Sequence, residues 1–280
     1  LIDQEAKYVH KSIDEMESIW GGSFVRVRAE LGTTAFGIGL MRLPPNLDRI
    51  PYHSHTFDGQ EEVYVPIAGS GWIALDDLRV PLDAGTAVRV GPTVRRALIS
   101  GPDGLEVLTA GGTPGKAYEP FVVMEKGAPE PDPAALPGVR AAAAEAEAPR
   151  TEAGDDYEAV ELEGGGERTG MPRGVLFSAF GRTLGATAFG ISELQLDPDV
   201  GEAYPRHDHE PDLQQELYVA VSGSGTIGVD GEDVAVTAGE MVLVMPDAAR
   251  HWRSGPDGLR MIVIGAPAGR PYKGSTPRRA

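Results

Sequence analysis

One signature runs through the chain twice, and its spacing limits the fold more than any other feature. His53-x-His55 is followed by Glu62-x-Tyr64-Val65, and His207-x-His209 by Glu216-x-Tyr218-Val219, at a constant offset of 154 residues. Each copy continues into Gly-Ser-Gly, at Gly69 to Gly71 and at Gly223 to Gly225, and from His53 to Tyr118 the register holds without a gap. A repeat this long is a duplicated domain, because a solenoid would repeat every ~20–50 residues. The copies differ at one position of chemical weight: the second has His251 where the first has Ala97. If the histidines bind a metal, this difference predicts that only the second site is complete.

The chain is 280 residues long, enough for two domains that each bury a core. Residues 1–21 read as a short helix. Ser12 and Glu15 form a capping-box pattern, and Ile13, Met16 and Trp20 follow at helical spacing. From about Gly22 the pattern changes to short strands bounded by Gly and Pro turns, such as Pro44-Pro45, Ala84-Gly85 and Pro102-Asp103-Gly104. Many short strands at near-regular spacing point to an all-β sandwich or barrel. The first such domain spans 22–126 and the second 170–280. Between them, 127–169 is rich in Pro, Ala, Glu and Gly and reads as a surface tether rather than a lid, with a helical stretch from Val139 to Ala148.

In a strand, residues two apart share a face. His207 and His209 therefore share one, Glu216 and Tyr218 another, and His251 after the Met245-Pro246-Asp247 turn completes a three-His, one-Glu set. Imidazole with carboxylate suits Fe, Mn, Ni, Cu or Zn. Five of the six histidines fall in the two constellations. The alternative is a set of structural histidines satisfied by backbone hydrogen bonds, and for His53, His55 and Glu62 this alternative carries more weight because Ala97 supplies no ligand. Glu61 rivals Glu62, but its counterpart Gln215 is no carboxylate; Asp58 and Asp212 recur yet fall in the loop. Tyr218, inward by parity, is the candidate proton donor. Arg250, one residue before His251, is expected to point away. Tyr204, Gln214 and Arg96 are candidate substrate contacts, Arg96 as an anchor for an anion in a metal-poor pocket.

These motifs resemble those of the cupin superfamily, and the whole chain resembles a bicupin. The first cupin motif is matched by the two H-x-H pairs and by the six residues from Glu62 to Gly69 and from Glu216 to Gly223. The second is matched by Gly239, Pro246, Ala248 and His251, with Ala at the second Gly, and only partly by Gly85, Gly91-Pro92 and Ala97. Six residues rather than three or four separate each H-x-H from its Glu, so the joining loop is longer than in the family. The resemblance implies two tandem jelly-roll barrels and one divalent metal on His207, His209, Glu216 and His251. It also implies a family whose members include dioxygenases, decarboxylases, isomerases, lyases and storage proteins.

The expectation that follows is an Fe-, Mn- or Ni-dependent dioxygenase or related oxidoreductase acting on a small organic acid, polyketide or phenolic. The alternatives are a non-catalytic small-molecule binder and a cupin isomerase or lyase. An ion with one carboxylate keeps a local charge near +1, which favours an anionic organic ligand. The net charge of −17 argues against nucleic acid and anionic membranes. The chain lacks cysteine, so disulfides and thiolate ligands are excluded, and a reducing, cytoplasmic setting fits. No apolar run approaches the ~18 residues that span a bilayer. Close packing of the two barrels and a further homodimer are expected, and Ala97→His is expected to create a second metal site.

Overall fold

A computed structural model describes residues 6–147, 156–162, 172–202, 205–275 and 277–279. The chain begins with β1 (Tyr8–Ser12), then β2 (Ser18–Ile19), β3 (Phe24–Val25), α1 (Val27–Leu31), β4 (Gly37–Leu43), β5 (Glu61–Leu75), β6 (Leu78–Asp83), β7 (Thr86–Val90) and β8 (Arg96–Gly112). After α2 (Pro137–Glu147) and β9 (Tyr157–Glu161) the second half repeats the order: β10 (Val175–Ser178), α3 (Phe180–Thr183), β11 (Gly190–Leu196), β12 (His207–Asp208), β13 (Gln214–Val229), β14 (Glu232–Thr237), β15 (Glu240–Val244) and β16 (Arg250–Pro267), closing on β17 (Arg278–Arg279). The architecture is β throughout with short helices. The strand orders are β2-β3-β4-β8-β5-β7-β9 and β1-β15-β13-β16-β11-β10, open paths rather than closed rings.

The alternation expected of the strands sets up two kinds of core. In β5, Val63 and Val65 point to one side and join an apolar cluster that also holds Leu217, Val219, Leu243, Ile262 and Ile264 of the second half. Tyr64, on the other side, packs inside its own half with Ile73, Leu98 and Val107. Tyr218 does the same with Ile227, Trp252 and Met261. One face of each central sheet is thus buried against the other half, and the opposite face lines that half's interior. A pair of reciprocal hydrogen bonds marks the junction. Glu61 Oε1 accepts from the amides of Thr187 (2.6 Å) and Ala188 (2.7 Å), while Gln215 Oε1 accepts from Thr33 Oγ1 (2.9 Å) and the Thr34 amide (3.3 Å). Glu61 and Gln215 are therefore interface residues.

The Gly-Ser-Gly repeats mark where the long strands bend. The β5–β8 ladder shifts register between Pro66/Ala68 and again between Gly69/Gly71, and β13–β16 does so at the equivalent places. At Gly69 (φ +69°) a Cβ would lie 2.2 Å from the Gly104 carbonyl oxygen, and at Gly223 (φ +77°) 2.1 Å from that of Gly258. Only glycine permits both the positive φ and the close approach.

Two sequence expectations fail here. The N-terminal segment is not a helix: residues 8–12 pair with the edge of β15 (Tyr8 opposite Val244, Ser12 opposite Glu240) and Ser18–Ile19 pairs with β3. The Ser12 cap is real but serves only the 3-10 turn Ile13–Glu15. The segment after residue 127 is no free tether. Its described part packs on the first half: Trp20 Nε1 donates to Pro131 O (2.8 Å), the Ser54 amide to Gly138 O (3.0 Å), and Ser54 and Thr56 hydroxyls to Glu145 (2.9 and 2.6 Å). The expected helix is present, with Pro137 at its first position, where a missing N–H costs nothing. β9 then extends the first sheet alongside β7, with Ala87 opposite Val160. The exchange is mutual: the N-terminal strand completes the second sheet, and the connecting segment completes the first.

Candidate metal centres

The H-x-H segment of each copy is pinned by an arginine of the last long strand. His53 and Arg96 exchange both backbone hydrogen bonds (3.0 and 2.9 Å), and His207 lies opposite Arg250. Residues directly opposite each other in a ladder share a face, so each arginine enters the interior with its histidine. From the neighbouring strand come Glu62 with Tyr64 and Glu216 with Tyr218.

In the first half, Glu62 stands between the two imidazoles. His53 Nε2 is 3.3 Å from Oε2 and His55 Nε2 is 3.3 Å from Oε1; Tyr64 donates its hydroxyl to Oε2 (2.5 Å), and Arg96 Nε lies 3.2 Å from the same oxygen. In the second half, His207 Nε2 and His209 Nε2 lie 3.8 and 3.2 Å from Glu216, Arg250 Nε lies 3.5 Å away, and the Tyr218 hydroxyl donates to Glu216. In each half, one ligand atom from each of the two histidines and the glutamate lies within 4.8 Å of the other two. A metal about 2.1 Å from each ligand puts neighbouring donors about 3.0–3.4 Å apart. The His–Glu distances of the first set meet this separation and those of the second nearly do, so both donor sets could hold a divalent ion.

Electrostatics agree with an ionised carboxylate at each centre. Burial pushes Glu62 upward, but His55, His53 and Arg96 outweigh it and hold the group well below the usual range. Glu216 is held down in the same way by His207, His209 and Arg250 against burial. Burial lowers His53, while His55, despite burial, is raised to about 9 by Glu62 and Asp58. A metal binding here must therefore displace a proton from His55. Burial first, then Glu62, pushes the Tyr64 phenol well above its ordinary value, so it stays a hydrogen-bond donor.

The structure corrects the expected ligand set. His251 does not join His207, His209 and Glu216. It pairs opposite Gly228, one residue out of phase with the inward Arg250, and its imidazole covers the outer face, where Nε2 lies 3.3 Å from Glu202. Ala97 faces outward for the same reason, opposite Ala74, while Arg96 pairs with the core residue Leu75. The His251/Ala97 difference thus does not distinguish the two centres, and Arg250 points in, not away. Gln214 is buried and spends its amide on Asp212 (2.9 Å) rather than on the interior. Arg96 reaches Glu62 and the Val94 carbonyl (2.7 Å), and Arg95 pairs outward with Asp76 (2.7 Å). Tyr204 lies outside the described residues.

Asp58 and Asp212 were under-read. Asp58 lies 3.0 Å from His55 Nδ1 and Asp212 lies 3.0 Å from His209 Nδ1, which directs each Nε2 at the glutamate. Carboxylate partners of this kind fix the orientation of metal-binding imidazoles. Their recurrence three residues after the second histidine in both copies was the available signal.

The two interiors differ in space. A cavity of about 410 Å³ opens onto His53, His55, Glu62 and Tyr64, and is lined besides by Phe24, Met41, Leu98 and Phe121. The connecting segment contributes Leu136, Gly138 and Val139 to its wall. In the second half Trp252 stands where Leu98 stands in the first. Its ring lies 5.4 Å from that of His207 and 5.2 Å from that of Tyr218, and is buried. The His53 side chain is 23% exposed, that of His207 only 6%.

Neither a family model nor a curated relative matches the chain. Solved structures do. Protein Ylba from E. coli is similar with a TM-score of 0.57 at 13% identity, over 93% of this chain and 90% of that one. A tryptophan-to-tyrosine variant of oxalate decarboxylase from Bacillus subtilis is similar with a TM-score of 0.62 at 16% identity, over 96% of this chain and 78% of that one. The chain shares the fold of these solved structures. At these identities the likeness carries the fold alone. The Bacillus subtilis oxalate decarboxylase has Mn(II) centres, and among its described residues the present chain holds two His/Glu groups that could hold an ion.

Proposed function

We propose that the chain is a bicupin, two jelly-roll barrels in tandem, that binds a divalent transition metal on His53, His55 and Glu62 and another on His207, His209 and Glu216. The N-terminal barrel is the reactive one: a metal-dependent oxidoreductase of the dioxygenase type acting on a small organic acid or phenolic. The observation that carries this reading is the cavity of about 410 Å³ opening onto the first triad, against the buried Trp252 beside the second. Two imidazoles and one carboxylate leave positions for substrate and oxygen, a donor set suited to Fe(II), with Mn and Ni as alternatives. When bound, the ion supplies Lewis acidity and a redox centre. Asp58 orients His55, Tyr64 holds Glu62 by a hydrogen bond, and the apolar walls exclude water. In the C-terminal barrel the same parts hold an ion structurally, and Tyr218 serves to fix Glu216.

The acidic surface, net charge −17, supports a small-molecule role over nucleic acid or membrane. Among the described residues no helix is long and apolar enough to cross a bilayer. Cytoplasmic residence and a homodimer belong to the same proposal. A second reading, a non-catalytic small-molecule binder, is favoured by Arg96, which already supplies Glu62 with positive charge at 3.2 Å. The test is elemental analysis of the purified protein, then oxygen uptake with a panel of phenolics and organic acids. A redox-active metal with uptake abolished by His53→Ala supports the enzyme. Metal-free protein that binds members of the panel without uptake supports the binder.

A further inference from the structure

The N-terminal cavity holds two hydrogen-bonding groups that the metal reading leaves unused. Gln60 and Tyr118 both line the cavity, and both are half-buried. Among the described residues, neither the Gln60 side-chain amide nor the Tyr118 hydroxyl has a hydrogen-bond partner. Gln60 spends only its backbone N–H, on Asp58 (3.1 Å). Both groups stand on the inner face beside the first triad. Gly111 lies opposite Glu62 on one side and opposite Gly37 on the other, and residues opposite each other share a face. A Cβ at Gly111 would lie 2.6 Å from Gln60 Nε2, and one at Gly37 would lie 3.2 Å from the Tyr118 hydroxyl oxygen. The two glycines thus leave the room through which amide and phenol reach the interior.

The duplication supplies a control for a purely structural role. Gln214 and Tyr272 are the counterparts at the offset of 154. In the second half Gln214 is buried and its amide donates to Asp212 (2.9 Å). In the first half the matching Asp58 turns both oxygens to His55 (3.0 and 3.2 Å), and the Gln60 amide is left facing open space. The same glutamine is therefore tied where the interior is filled and untied where the cavity opens. Burial pushes the Tyr118 phenol up to about 12, so it stays protonated and donates. The charges that act on it are Arg28, Glu125 and Asp58, and Arg28 is already paired with Glu125 (2.5 Å). Two carboxylates against one committed cation disfavour an anionic group at this end of the cavity.

We propose that Gln60 and Tyr118 bind a neutral carbonyl oxygen of the ligand at the end of the cavity beside the first triad. A carbonyl oxygen has two lone pairs and accepts from an amide N–H and a phenol O–H together. Cβ positions on adjacent strands lie about 5 Å apart, so this anchor stands one to two strand spacings from Glu62, roughly 5–10 Å. A single aromatic ring with a polar group at each end spans that length. Phe24, Met41, Leu98 and Phe121 supply the apolar walls for the ring. The assignment rests on the reading of this cavity as the ligand pocket and narrows what the pocket takes to phenolics that carry a neutral carbonyl.

The test uses calorimetric titration of the full chain with para-hydroxyacetophenone and with para-isopropylphenol, in which a methyl group stands in place of the carbonyl oxygen. What is read is the ratio of the two affinities. Tyr118→Phe and Gln60→Met should each lower the preference for the ketone about 3- to 10-fold, the worth of one neutral hydrogen bond, and the double variant should lower it further. Tyr272→Phe, at the matching place in the second half, should leave the ratio of the parent. Should Gln60→Met fail to fold, Tyr118→Phe, which removes a single oxygen, decides. A purely structural role would weaken both phenols alike and leave the ratio unchanged, which overturns the anchor. So would a ratio that falls on Tyr272→Phe and not on Tyr118→Phe. The pocket reading fails differently: a parent that binds neither phenol refutes it and the anchor with it, whereas two phenols bound at a ratio indifferent to both substitutions refute the anchor alone.

Discussion

The two halves contain the same inner constellation and different surroundings. His53, His55, Glu62, Tyr64, Asp58 and Arg96 recur as His207, His209, Glu216, Tyr218, Asp212 and Arg250, with like distances around the carboxylate. What separates them is one shell further out. Leu98 borders an open, apolar space in the first half; Trp252 replaces it in the second. The comparison teaches that duplicated donor sets say little about which copy handles a ligand. Volume beside the donors and the polar groups left untied on the cavity wall say more.

The largest expected effect tests the assignment of roles. His53→Ala should remove one metal equivalent and all oxygen uptake, whereas His207→Ala should remove one equivalent and leave most of the uptake. Elemental analysis with oxygen-electrode assays reads both, and uptake lost only on His207→Ala would reverse the comparison. Next comes the exchange of the residues that set the space. Leu98→Trp should abolish para-hydroxyacetophenone binding while metal content stays constant. Trp252→Leu should cost about 2–4 kcal/mol of stability by opening a void, measured by denaturant melts. A probe still bound by the Leu98→Trp protein would show that the ligand site lies elsewhere.

A smaller effect is expected at the junction. Glu61→Gln leaves Arg89 with a neutral partner and sets an amide against the Thr187 and Ala188 donors. About 1–3 kcal/mol should be lost, whereas Gln215→Glu, whose neighbours Thr33, Thr34 and Met245 are all neutral, should change less; equal losses would mean that the junction is symmetric in energy as well as in position. The smallest effects belong to the outward pair. His251→Ala should keep the full metal complement, and Ala97→His should gain none, because both side chains face away from the donors. A third equivalent in the Ala97→His protein would show that the strand can shift by one residue.

Much of the centre was legible before any coordinates. The constant offset of 154 residues, the H-x-H spacing and the parity of Glu62 with Tyr64 anticipated that Glu62 and Glu216 lie beside the imidazoles, and Gly-Ser-Gly located the bends. The helix expected after Ser12 was misread because a capping pattern reports local preference: the chain makes one 3-10 turn, Ile13–Glu15, and then enters the Ser18–Ile19 strand that pairs with Phe24–Val25. His251 was misread because the choice between Arg250 and His251 turns on the register of β12 against β16, and a slip of one residue exchanges the two faces of a strand.

The sequence by itself determined the duplication, the β class and the chemical identity of the donors, because these follow from spacing and from side-chain type. Only the tertiary structure decided which residue of each Arg-His or Arg-Ala pair points inward, that Trp252 rather than open space borders the second centre, and that the connecting segment walls the first. Each of these depends on contacts between residues far apart in the chain. Such contacts are set by pairing register and by the volumes that meet in the interior, and neither quantity is written in local sequence.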